Sequence, residues 1–139
     1  MKLDLAAAIF WIGWEQLAVL AASALVPVRL DWRQRLSELP TLVRQLFWVY
    51  GGYIVLSIVG LGAICIVNAG ELATGSLLSR SFCAYGAAFW GVRLSLQPFL
   101  AARPFLTNAW LRAGYHLLTV MFASFLAVYL YGFCTSPCR

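Results

Sequence analysis

Residues 46–67 read LFWVYGGYIVLSIVGLGAICIV and contain no charged side chain. A helix needs about 20 consecutive apolar residues to cross the hydrocarbon core of a bilayer. A segment in that environment has to satisfy its backbone hydrogen bonds internally, because lipid offers no partners. The stretch therefore predicts a membrane-spanning helix, and it also identifies lipid as the main solvent of the protein.

Three further stretches have a similar character, at residues 5–28, 77–96 and 109–133. The third of the four stretches in chain order is the least apolar, since it carries Arg80 at its start and Arg93 inside it. The whole chain is 63% hydrophobic and only 11% charged, whereas about a quarter of a soluble domain is charged. We predict an all-α integral membrane protein, a single domain of four transmembrane helices over residues 1–139.

The first stretch resembles a cleaved signal peptide, with Lys2 before it and small residues at 22–24. However, Glu15 and Gln16 interrupt its apolar region. Cleavage would also leave the arginines that follow it on the translocated side, against the usual charge distribution. We interpret the stretch as a retained helix.

Basic residues are distributed unevenly about the four stretches, and they favour cytoplasmic loops in membrane proteins. One side of the predicted bundle carries seven: Arg29, Arg33, Arg35, Arg44, Arg93, Arg103 and Arg112. The other side carries three: Lys2, Arg80 and Arg139. This asymmetry predicts an N-out/C-out topology, with both termini non-cytoplasmic. The bacterial inner (plasma) membrane is the expected location.

Residues 31–39 form the only predicted helix that does not span. Trp32, Leu36 and Leu39 recur at helical spacing, while charged and amide side chains occupy the opposite face. This pattern is typical of a short helix on the headgroup layer. Its lipid-contacting or partner-contacting face is predicted to consist of Arg29, Trp32, Arg33 and Arg35.

Three ionisable residues lie within the predicted spans, where a lone charge is costly. Helix rise places Glu15, Arg93 and His116 at comparable depths. We predict a buried ion pair between Glu15 and Arg93, with His116 completing a polar network. Such a network locks a bundle, and a proton path through Glu15 and His116 is the functional alternative.

The sequence contains no carboxylate pair, phosphate-binding glycine loop or serine-histidine-acid set that indicates catalysis. His116 is the single histidine, so a haem would have to be shared with another chain. A shared haem or a quinone stays open as a cofactor, bound lipid is expected, and no metal site is predicted. The basic residues border apolar stretches instead of forming a polar surface, which argues against nucleic-acid binding.

The four cysteines, Cys65, Cys83, Cys134 and Cys138, lie near the predicted outer ends of the spans. Disulfides persist on that side of a membrane. Cys134 and Cys138 are close enough in sequence to form a terminal disulfide, while Cys65 and Cys83 are expected to be buried thiols. Connectivity stays open, since four cysteines allow three pairings.

Four membrane helices with outward cysteines resemble, in architecture, the vitamin K epoxide reductase family of quinone-linked thiol oxidoreductases. The active pair of that family is a C-x-x-C on a helix. Here Cys134 and Cys138 have three residues between them. The resemblance implies an outward-facing thiol or quinone redox protein as one alternative function.

The leading functional expectation is a small non-catalytic subunit, or an assembly or stabilising factor, of a larger membrane complex, with energy-transducing complexes among the candidates. Its expected partners are membrane lipids and other integral membrane subunits. A small homo-oligomeric transporter or channel is the other alternative. Internal repeats would favour it, and the two halves of the chain show none.

Overall fold

The computed structural model describes residues 4–99 and 108–135, of which 89% are helical and none is in a strand. The helices in chain order are α1 Leu5–Ser23, α2 Val26–Arg29, α3 Trp32–Ser37, α4 Thr41–Val67, α5 Ala69–Leu72, α6 Leu77–Leu96 and α7 Ala109–Thr135, with a 3-10 turn at Gln97–Phe99 after α6. The all-α prediction is confirmed for this part of the chain.

Three helical stretches are long and apolar enough to cross a membrane: Leu5–Arg29, Thr41–Val67 and Ala109–Thr135. They correspond to the first, second and fourth predicted spans. Helix α6 coincides with the third predicted span, residues 77–96, but it does not belong to this set. Two arginines and several serines lower its apolar content.

The connection between α1 and α4 differs from the predicted boundaries. Helix α3 is shorter than the predicted helix over 31–39, and Asp31 before it has a left-handed backbone with φ of 49°. Pro40 stands at the N-cap of α4, so α4 begins before the predicted start at residue 46. A proline is readily accommodated there, since the first amides of a helix have no intrahelical partner.

The long helices pack in two antiparallel pairs. Helix α1 lies against α4, where Gly13 faces Gly62. Helix α6 lies against α7, with Cys83 beside Gly132 near one end and Gln97 bonded to Thr119 near the other. Contacts between α1 and α7 join the two pairs.

The apolar core is centred on α6 and α7. The indole of Trp90 lies 4.8 Å from the ring centroid of Phe125 and 5.2 Å from that of Phe122. Such aromatic pairs add stabilisation beyond the area that they bury. Helix α1 contributes Ile9 and Ile12 to the same cluster.

Candidate functional site

A glutamine lies buried among the four long helices. Gln16 of α1 is 0% exposed. Its Nε2 donates to the carbonyl oxygen of Ile12 at 3.1 Å and to the hydroxyl of Tyr129 at 3.0 Å. Its Oε1 accepts from the indole Nε1 of Trp90 at 3.2 Å. Both amide hydrogens and the amide oxygen are therefore satisfied, and the side chain connects α1 to α6 and α7.

Helix α4 joins the same group through a thiol. The Sγ of Cys65 lies 3.1 Å from the hydroxyl of Tyr129, within hydrogen-bonding distance. Each of the four long helices thus supplies one member of a central polar cluster, defined as Gln16, Cys65, Trp90 and Tyr129. All four side chains are buried. The cluster is closed to solvent and internally bonded, so its chemistry suits holding four helices in a fixed arrangement.

A glycine makes room for the central polar cluster. A Cβ built at Gly86 of α6 would lie 2.7 Å from Cε1 of Tyr129. The phenol ring therefore lies directly on the α6 backbone, with the ring of Phe82 at a centroid distance of 6.1 Å. Glycine, which has no side chain, commonly permits such close approach to a helix backbone.

A second set of polar contacts joins α6 to α7. Arg93 Nη1 donates to Gln97 Oε1 at 3.1 Å, and its guanidinium lies 4.9 Å from the ring centroid of Phe122. Gln97 Nε2 donates to Thr119 Oγ1 at 3.1 Å, and the Tyr115 hydroxyl donates to the Gln97 carbonyl oxygen at 3.0 Å. An amide and an aromatic face are thus the neighbours of the Arg93 charge.

The structure does not bring Glu15, Arg93 and His116 together. Glu15 is exposed on α1 and His116 is exposed on α7, where its ring lies 5.8 Å from that of Tyr115. No ion pair joins Glu15 to Arg93 within the described residues. The predicted network is therefore not formed inside the chain, and Gln16 takes the interior position instead.

The physical reason is the lower cost of burying an amide. A neutral glutamine needs only hydrogen bonds, whereas a buried carboxylate also needs a counter-charge. A signal for Gln16 is present in the sequence, because it shares a helical face with Ile9, Ile12 and Val19. Gln16 was not among the predicted site residues, because it carries no charge and its apolar neighbours on the helix face are apparent only at helical spacing.

The cysteines divide into two groups. Cys65 and Cys83 are buried free thiols, as expected. Cys134 is an exposed free thiol, and Cys138 lies outside the described residues. The terminal Cys134–Cys138 disulfide thus stays a prediction.

The predicted interfacial face is accessible in part. Arg29, Arg33 and Arg35 are exposed. Trp32 is partly buried and its ring lies 5.1 Å from that of Phe47 at the start of α4. This aromatic contact fixes α3 to the beginning of α4 and leaves the guanidinium groups available to lipid or to a partner.

None of the protein families, curated proteins and solved structures with which the chain was compared is significantly similar to it.

Proposed function

We propose that this protein is a small non-catalytic subunit, or a stabilising factor, of a larger membrane complex. The main support for this proposal is the packing of α4. Only Leu61, Gly62 and Cys65 of this helix are buried, and all three lie in its last third. None of residues 41–60 is fully buried and most are exposed, so the described chain covers the first two thirds of this 27-residue helix only in part.

The composition of the uncovered part favours a protein neighbour beside it. A Cβ built at Gly52 or Gly60 would meet no atom within 4 Å. Glycine lowers helix stability by about 1 kcal/mol relative to alanine, and in membrane helices it is enriched where another helix approaches closely. Gly52 and Gly60 have no such neighbour among residues 4–99 and 108–135, which supports a neighbour from another subunit.

The alternatives have less support from the geometry. A transport pathway needs polar groups facing water, and the central polar cluster is bonded within the chain and buried. A thiol redox site needs access to its oxidant, which Cys65 and Cys83 lack at 0% and 1% exposure. Cys134 is exposed, but its sequence neighbour Cys138 lies outside the described residues.

Photo-crosslinking in native membranes tests the proposal. A photo-reactive residue in place of Leu56, which is exposed on α4, should form an adduct with a different protein. The same residue in place of Leu61, which is buried, should not. An adduct of twice the mass of the chain would favour the alternative of a homo-oligomer. The absence of an adduct at Leu56 would contradict the proposal that the protein is a subunit of a larger complex.

We further infer that α6 is a fourth span, with both termini outside the cytoplasm. Its 20 residues extend about 30 Å. It runs antiparallel to α7 from the level of Gly132 to that of Thr119, beside a helix that is long and apolar enough to span. The basic asymmetry supports the orientation. Three of the ten basic residues in this distribution, Lys2, Arg103 and Arg139, lie outside the described residues.

Topology reporters distinguish three spans from four. Four crossings place both termini on one side, and three place them on opposite sides. A reporter that fluoresces only in the cytoplasm should stay dark when it is fused after residue 139 or before residue 1. It should fluoresce when inserted near residue 103. Fluorescence at only one of the two termini would indicate three spans. Fluorescence at both termini would indicate four spans with the opposite orientation, both termini being cytoplasmic.

A further inference from the structure

A carboxylate lies on the outer surface of a helix that is apolar enough to cross a membrane. Glu15 is exposed within the stretch Leu5–Arg29. Trp11 and Trp14 beside it are 64% and 51% exposed. No hydrogen bond or ion pair reaches Glu15 from any residue in 4–99 or 108–135. The Glu15 face of α1, defined as Trp11, Trp14, Glu15 and Ala18, is thus uncovered in the single chain.

The position of Glu15 is deep. It lies ten residues after Leu5 and fourteen before Arg29, or about 15 Å and 21 Å from the two ends at 1.5 Å per residue. Both distances exceed the depth at which a side chain of this length reaches the headgroups. An ionisable residue at such a depth normally pairs with another charge or lines a wet cavity.

No cationic side chain among the described residues is placed to pair with the Glu15 carboxylate. Arg93 is bonded to Gln97 and stacked on Phe122. Arg80 lies over the ring of Phe133, near the opposite ends of α6 and α7 from Arg93. The remaining described arginines lie in the α1–α4 connection or in the first turns of α4 and α7.

We propose that the Glu15 face binds a transmembrane helix of a different subunit, one that carries a lysine or arginine at the depth of Glu15. The inference rests on the proposed function. The carboxylate supplies the charge, and the small side chain of Ala18, one turn further along α1, lets the partner helix approach closely. The indole groups of Trp11 and Trp14 flank the contact.

A second copy of this chain does not fit as the partner. Its one histidine, His116, lies seven residues into α7, or about 10 Å from the start of that helix. That start is at the Arg29 end of the bundle, since Leu5 lies near Gly132 at the other end. In a parallel copy, His116 would therefore be about 10 Å away from Glu15 in depth. Arg93 would have to give up its existing contacts.

Crosslinking with charge substitutions tests the inference. A photo-reactive residue at Ala18 should capture a second protein in native membranes. We expect the adduct to fall more than about tenfold in the E15K and E15L variants, because removing one partner of a desolvated charge pair strands the other. The E15D variant should retain most of it. The captured protein should carry a lysine or arginine within a hydrophobic span, and replacing that residue by glutamate should restore the adduct with E15K.

Each other result has a distinct meaning. An adduct at Leu56 but none at Ala18 would overturn the Glu15 contact and leave the subunit proposal intact. Adducts at neither position would reject both. An adduct at Ala18 that is unchanged in E15K and E15L would show that the charge does not contribute. An adduct of twice the mass of the chain would identify a second copy as the occupant and overturn the inference. Unfolding of purified E15L should match the unsubstituted protein, which separates loss of binding from loss of fold.

Discussion

Replacing Gly13 by alanine should separate α1 from α4 and destabilise the protein by about 2–3 kcal/mol. A Cβ at this position would lie 2.8 Å from Cγ1 of Ile66, 2.9 Å from the carbonyl oxygen of Gly62 and 3.0 Å from Cβ of Cys65. The carbonyl belongs to a helix backbone and cannot rotate away. Overpacking of an interior costs about 1–3 kcal/mol, and the rigid neighbour favours the upper part of that range. Denaturant-induced unfolding in mild detergent would measure the loss.

Gly60→Ala is the matched control for this substitution. Gly60 lies on α4 close to Gly62, and a Cβ there would meet nothing within 4 Å. Since alanine is the better helix former by about 1 kcal/mol, the control should be neutral or slightly stabilising in the purified chain. Equal losses in the two variants would contradict the close contact of α1 with α4.

The class of fold could be predicted from sequence because it follows from one physical requirement. An apolar stretch such as 46–67 can only be helical in lipid, and the structure contains that helix as α4. The start of α4 was less accessible to prediction. Pro40 can end one helix or precede the next, and its role depends on the contact of Trp32 with Phe47, which sequence spacing does not show.

The candidate site was harder to predict, since it depends on which side of each helix faces its neighbours. Glu15 and Gln16 are adjacent and project about 100° apart around α1, so a small error in the buried face exchanges their roles. The exposed Glu15 face of α1 also carries apolar residues, Trp11 and Trp14. Its composition therefore does not distinguish it from the buried Gln16 face. Contacts such as that of Tyr129 with Gly86 join distant parts of the chain and have no local sequence signal.

Replacing Gln16 by leucine should destabilise the purified protein by about 2–3 kcal/mol, although leucine is the more apolar residue. The change removes the acceptor of the Trp90 indole and the donor to the Tyr129 hydroxyl. A buried polar group left without a partner costs about 1–3 kcal/mol, and interhelical hydrogen bonds in membrane proteins contribute about 0.6–2 kcal/mol each. Tyr129 keeps its contact with Cys65, which limits the loss.

Glu15→Leu is the adjacent control, because Glu15 is exposed and unbonded in the described chain. Its effect on the free energy of unfolding of the purified protein should be within about 0.5 kcal/mol, as for most surface substitutions.

Combining Gln16→Leu with Trp90→Phe should cost less than the sum of the single changes, since the second change removes the stranded indole donor. Strict additivity would show that Gln16 and Trp90 do not interact. Equal losses at positions 15 and 16 would mean that Gln16 does not lie on the face of α1 that packs against the other long helices, and would contradict the central polar cluster.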